Sequence, residues 1–172
     1  MRNKLLIVSL LFTSLHAFAA EKVVAINAIN DSGVGKIIGV ITFTDSDKGL
    51  IIKPDLAELT PGPHGFHIHE KPSCAAGEKD GKVVAGIGAG GHFDPSKSGK
   101  HEGPAGQGHR GDLPALEVAA DNGAEKPLLA PHLKLADIVG HAIIIHEGAD
   151  NYSDTPKPLG GGGGRVACGI IE

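Results

Sequence analysis

An all-β sandwich or barrel is the fold this sequence predicts, on three observations. Short apolar and β-branched segments recur between clusters of Gly, Asp, Asn, Ser and Pro, which is the chemistry of strands and turns. Helical periodicity is nearly absent. Two long glycine-rich stretches, 92–112 and 147–164, carry no hydrophobic period at all and read as loops hung on the strands.

The elements follow in chain order. Residues 1–19 read as a secretory signal peptide: Arg2 and Lys4 give a positive start, Leu5 to Phe12 is apolar, and Ala17-Phe18-Ala19 is an A-x-A cleavage site. A membrane anchor needs about 20 apolar residues, whereas this run is short and broken by Thr13, Ser14 and His16. Residues 20–172 then form one exported domain with a sizeable core and no membrane span. Lys22 to Asn30 is a strand ended by Asp31-Ser32-Gly33. Lys36 to Thr44 is a longer strand, with Ile37, Ile41 and Phe43 expected on one face and Ile38, Val40 and Thr42 on the other. Leu50 to Lys53 is a short strand ended by Pro54, and Asp55 to Leu59 has room for one helical turn before Pro61 and Pro63.

His64 to Glu70 is the next strand; residues two apart share a face, so His67 and His69 project together while Phe66 and Ile68 point the other way. Lys71 to Gly91 is expected as a loop whose charged run, Glu78 to Lys82, is solvated. Leu116 to Ala120, Lys126 to Ala130, His141 to His146 and Arg165 to Ile171 are strands, with a short helical turn expected in Pro131 to Asp137. The glycine run Gly160 to Gly164 precedes a strand rather than a helix, which argues against a phosphate cradle and for a close approach of backbone.

Composition excludes some functions. Removing Arg2 and Lys4 with the leader takes the formal charge from −4 to −6. An acidic chain with no Trp and a single Tyr, Tyr152, offers neither the basic face nor the stacking platform of a nucleic-acid binder. Cys74 and Cys168, an even pair in an exported chain, read as a disulfide closing a long loop; as soft metal ligands they lack any C-x-x-C pairing.

The histidines carry the chemistry. The stretch from His92 to Asp112 holds His92, His101, His109 and Asp112, three imidazoles and a carboxylate, a set suited to tetrahedral zinc. His67, His69 and His146 lie on predicted strands and form an all-nitrogen set, which favours copper. His64, His132 and His141 are read as structural or surface residues. Six histidines and Asp112 are too many for one ion and one short of eight ligands for two, unless a deprotonated imidazole bridges.

At this point the residues resemble a family. G-F-H-I-H-E at Gly65 to Glu70, G-G-H-F-D-P at Gly90 to Pro95, G-K-H-E-G-P at Gly99 to Pro104, G-H-R-G-D-L at Gly108 to Leu113, I-I-I-H-E-G at Ile143 to Gly148 and G-G-R-V-A-C-G at Gly163 to Gly169 are similar to the copper/zinc superoxide dismutases in their bacterial exported form. The resemblance implies an eight-stranded antiparallel Greek-key β-barrel, immunoglobulin-like, with two long functional loops. It assigns copper to His67, His69, His92 and His146, and zinc to His92, His101, His109 and Asp112, with His92 bridging. Arg165 matches the arginine that attracts the anion, and Cys74 with Cys168 the disulfide that pins the long loop. Asp150 matches the carboxylate linking a copper-site and a zinc-site histidine, with Asp154 a nearby rival.

The implied reaction is superoxide dismutation: copper alternately takes an electron from one superoxide and returns it to another, giving dioxygen and hydrogen peroxide, while His92 carries a proton and zinc keeps its charge. The resemblance points to the periplasm and leaves open both monomer and homodimer. Because the mature chain is net negative, guidance of the anion needs a local field; Lys79 and Lys82 are the candidates, since the 147–164 loop holds only Lys157 as a base. Three other functions compete. A non-enzymatic copper/zinc buffer would not require Arg165 beside an open copper position. A purely structural β-sandwich would have no use for the strand histidines, and a zinc hydrolase would show H-E-x-x-H, which is missing.

Overall fold

Alternating burial organises the first three strands of the structure, a computed structural model that describes residues 20–172. The signal peptide expected over 1–19 lies outside the described residues. β1 (Glu21–Asn30), β2 (Gly33–Ser46) and β3 (Gly49–Leu56) form an antiparallel meander. Val24 and Ile26 of β1, Ile41 and Phe43 of β2, and Leu50 and Ile52 of β3 enter one core. Each such side chain contributes roughly 1.5–3 kcal/mol by leaving water.

Three expectations fail here. Ile37 is 61% exposed while Ile38 is buried, the reverse of the predicted faces. Gly39 pairs with Ile26 and Ile37 with Asn27, so Ile38 is the extra residue of a β-bulge that shifts the alternation by one. Pro54 does not end β3 either; it pairs with Ile41, and no helical turn forms over Asp55 to Leu59. The outer neighbour of β3 reaches only Leu50 to Ile52, so Pro54 sits where β3 is an edge and its missing N–H goes unused.

The remaining strands are β4 (Gly62–His64), β5 (Phe66–His69), β6 (Gly77–Lys79), β7 (Lys82–Val84), β8 (Leu116–Val118), β9 (Leu128–Ala130), β10 (His141–His146) and β11 (Arg165–Ile171). A single helical turn, α1 (Leu135–Ile138), precedes β10. The predicted His64–Glu70 strand is thus two pieces broken at Gly65, and the predicted Lys71–Gly91 loop contains the β6–β7 hairpin and a 3-10 turn at Ile87–Ala89. The main sheet runs β5-β10-β11-β1-β2-β3-β9, with β4 paired to β8. Taking β4 and β5 as one interrupted strand and setting the β6–β7 hairpin aside, the curled antiparallel sheet is an eight-stranded Greek-key barrel. Among the described residues no helix is long and apolar enough to cross a membrane.

Cys74 and Cys168 form a disulfide with Cα atoms 5.8 Å apart, tying the 71–91 segment to β11. Around it Ile29, Ala89, Ala142 and Ile144 make a second small core on the outer side of the sheet.

Candidate metal centre

β5 and β10 are antiparallel neighbours, with His67 opposite Ile144 and His69 opposite Ala142. Phe66 and Ile68 fill the barrel core, so alternation sends both histidines outward. They are nonetheless fully buried, because the 92–112 loop folds back over them. That loop docks on β5 through main-chain bonds: Gly111 O accepts from Ile68 N–H at 2.9 Å, and Ile68 O from Phe93 N–H at 2.8 Å. Those bonds place His92 opposite His69 and Asp112 opposite His67. His146 closes β10 at a register shift, facing Arg165 at the start of β11.

Two buried clusters result. His67, His69, His92 and His146 each offer a ligand atom, and His67, His92, His101 and Asp112 do likewise, the atoms within a cluster lying within 4.8 Å of one another. His67 and His92 belong to both. His109 stands at the margin of the second cluster, its Nδ1 3.4 Å from Asp112 Oδ1.

The donor atoms are suited to ions. His67 Nδ1, His69 Nε2, His109 Nδ1 and His146 Nε2 are buried without a hydrogen-bond partner, and His101 Nδ1 has only the Asp112 carboxylate, 2.9 Å away. Four orphaned imidazole nitrogens in one place would be costly in a site that stayed dry and ion-free. The opposite ring nitrogens are held by the protein, as ligand histidines require. His69 Nδ1 lies 3.0 Å from Gly90 O and His146 Nδ1 3.3 Å from Gly163 O. His67 Nε2 and His101 Nε2 lie 2.7 and 2.8 Å from the two oxygens of Asp150. Asp150 therefore joins a histidine of each cluster. Asp154 instead accepts the main-chain N–H of His101 at 2.9 Å.

The electrostatics separate the two clusters. Burial holds His67 down to about 3 and His146 down to about 4, from 6.5. Burial also lowers His69, with His92 and Arg165 adding to the effect, and lowers His92. These rings are neutral at physiological pH, the form that coordinates a metal. His101 goes the other way: burial opposes its charge, but hydrogen bonds to Asp112 and Asp150 win and raise it to about 9. Asp112 and Asp150 are held well below the usual carboxylate range by the same bonds, against the effect of burial.

A cleft of about 480 Å³ opens over the first cluster, with His69, His92, His146 and Arg165 among its walls. The Arg165 guanidinium is fixed by Gly86 O and, at 2.7 Å, by Gly90 O. Lys79 and Lys157 line the cleft from opposite loops, while Lys82 is paired with Lys79 across the β6–β7 hairpin and is not part of the wall. Of the histidines set aside as structural, His64 is buried between Thr60 O and His146 O, each 2.6 Å from one of its ring nitrogens. The contacts of Tyr152 and Asp154 have no signal in the sequence, because they join residues 37 and 53 positions apart.

An antiparallel barrel with two buried, metal-competent clusters that share His67 and His92 defines a dinuclear metalloprotein. The chain belongs to the copper/zinc superoxide dismutase family, whose family model, described as copper/zinc superoxide dismutase (SODC), matches residues 37–171. It is 55% identical over 157 residues to the Superoxide dismutase [Cu-Zn] of Escherichia coli K12, covering 91% of each chain. Among solved structures it is similar to the Cu/Zn superoxide dismutase from Brucella abortus, at 49% identity and a TM-score of 0.88, covering 89% of this chain and all of that one. The monomeric copper, zinc superoxide dismutase from Salmonella enterica aligns at 51% identity with a TM-score of 0.81, again over 89% of this chain and 100% of that one. Superoxide dismutation with copper and zinc is the activity of this chain, and the buffer alternative is not favoured.

Proposed function

We propose that His67, His69, His92 and His146 hold copper, and that His92, His101, His109 and Asp112 hold zinc. The observation that carries this assignment is the set of buried ring nitrogens turned toward one another and toward Asp112 rather than to the main chain. His67 Nδ1, His69 Nε2 and His146 Nε2 fall to one ion, and His101 Nδ1 and His109 Nδ1 to the other beside Asp112. When bound, copper supplies the one-electron couple that oxidises one superoxide and reduces the next, and redox-inert zinc supplies fixed positive charge.

The chain's own residues do the rest. Of the two histidines common to both clusters, His92 is the one that lines the cleft, and so the ring able to take up a proton beside the substrate. Asp112 stands 2.9 Å from its Nδ1 and favours charge there. Arg165 binds the anion: its guanidinium is anchored by two carbonyls, stands in the cleft wall and orients the substrate beside His92. Asp150 fixes the rings of His67 and His101 together. Lys79 and Lys82 raise the positive potential at the mouth, with Lys157 adding to it from the facing loop.

The experiment is superoxide decay by protein reconstituted with copper plus zinc or zinc alone, in the parent and in His146→Ala and His109→Ala. Copper-dependent decay that His146→Ala abolishes, with loss of zinc but retention of copper in His109→Ala, is expected. Full activity and full copper content in His146→Ala would refute the assignment.

For location we propose export to the periplasm after cleavage near residues 19 and 20, on the strength of the A-x-A site. N-terminal sequencing of the fractionated protein tests it. For assembly we take a monomer, as in the Salmonella enterica relative. Sedimentation at twice the chain mass would replace it with the homodimer considered from the sequence.

A further inference from the structure

The loop after β10 crosses the 92–112 loop as a strap, and Asp150 is only one of its fastenings. Asp154 Oδ2 accepts the main-chain N–H of His101 at 2.9 Å, and Asp154 Oδ1 accepts that of Leu159 at 3.1 Å. Tyr152 N–H donates to Asp150 Oδ1 at 2.7 Å, its hydroxyl accepts Ala115 N–H at 2.8 Å, and its ring covers Gly103. Gly160 N–H returns to Ser153 O at 3.0 Å, closing the strap on itself.

His101 is consequently gripped at both ends by carboxylates of one loop: its main chain by Asp154, and its ring Nε2 by Asp150 at 2.8 Å. With both ends fixed, its torsions have no freedom left. Nδ1 must then face Asp112, whose Oδ2 stands 2.9 Å away. We infer that Asp154 is a positioning residue for His101, setting the ring's orientation before a cation arrives; this rests on the reading of His101 as a zinc ligand.

Asp154 itself is exposed and outside both ligand clusters, and its two hydrogen bonds are what tie it to the loop it faces. A carboxylate suits the place because two N–H groups converge on its two oxygens. An Asn has one acceptor oxygen and a donor amide, so it satisfies one N–H and opposes the other. Partners behind a metal ligand typically change affinity by about 10–100-fold when lost.

The test measures zinc affinity by chelator competition in full-length mature Asp154→Ala, Asp154→Asn and His101→Ala, beside the thermal unfolding of each metal-free protein. Expected is a loss of roughly tenfold or more in Asp154→Ala, a smaller loss in Asp154→Asn, and an unchanged metal-free melting temperature. Parent affinity in Asp154→Ala, with zinc lost in His101→Ala, would overturn the inference and leave the zinc assignment standing. Parent affinity in His101→Ala would remove both. A loss in Asp154→Ala matched by an equal fall in metal-free stability would also reject positioning, since a merely structural contact does that.

Discussion

Gly160 lies so close to Asp150 that a β-carbon at position 160 would stand 1.9 Å from Asp150 Oδ1 and 2.8 Å from His101 Nε2. Its φ of +71° is, in addition, one that other residues rarely adopt. The glycine run is thus the lid that lets one carboxylate sit between two histidines. Gly160→Ala is expected to expel Asp150 and lower zinc affinity by about tenfold or more, read by chelator competition. Gly161→Ala, whose β-carbon would meet only Lys157 at 3.4 Å, is the comparison; it carries a positive φ too, so a loss confined to position 160 isolates the contact from backbone strain.

Arg165→Ala should leave both metals bound, because the guanidinium contacts carbonyls rather than ligand nitrogens. The second-order rate of superoxide decay should fall by roughly tenfold or more, and its dependence on ionic strength should flatten. An unchanged rate in the metal-replete variant would exclude Arg165 as the anion's anchor.

Lys79 and Lys82 are opposite one another in the β6–β7 hairpin, yet only Lys79 reaches the cleft wall. Lys79→Glu is expected to slow association at low salt more than Lys82→Glu does, and Lys157→Glu to resemble Lys79→Glu. All three effects should shrink at high salt, since the screening length falls from about 10 Å at 0.1 M to about 3 Å at 1 M. Stopped-flow decay across a salt series checks the ranking.

Metal-free protein should be most stable near neutrality. His67 and His146, lowered to about 3 and about 4, take up protons in the unfolded chain before the folded one, so stability falls as pH drops below 6.5. Asp112 and Asp150, held low when folded, extend that fall below pH 3.8. His101, raised to about 9, works oppositely: its contribution is complete below 6.5 and is lost as pH rises through 9. Melting temperatures against pH should give a dome, and His101→Gln should remove the alkaline limb.

Cys74→Ser paired with Cys168→Ser should cost about 2–5 kcal/mol in denaturant unfolding. Activity should fall as well, because the freed 71–91 segment supplies Gly86 O and Gly90 O, the two acceptors that hold Arg165. An intact rate in the fully metallated double variant would show that those carbonyls stay in place unaided.

Where physics acts within a few residues, the sequence was readable. Period-2 alternation put His67 and His69 on one face, and the apolar run ahead of His146 matches β10 at both ends. The density of His and Asp between His92 and Asp112 marked the loop that folds over β5. Ile37 and Ile38 were exchanged because a bulge leaves the apolar pattern intact while moving every side chain past it to the other face. The β6–β7 hairpin was hidden by its own composition, since Glu78 to Lys82 looks solvated whether or not it pairs. Asp150 came from the resemblance rather than from spacing, and Asp154 and Tyr152 act across loops remote in sequence, where local pattern carries no information.

His67, His69 and His146 sit on a continuous strand ladder, whereas His92, His101, His109 and Asp112 come from a stretch joined to β5 only by isolated bridges at its two ends. Inheritance can therefore treat the two halves differently. Drift in residues 92–112 can erase the chemistry and leave a barrel that still folds, while drift in β5 or β10 threatens the scaffold itself. A descendant that kept the strands and lost the loop would be a stable framework free to take up another occupation.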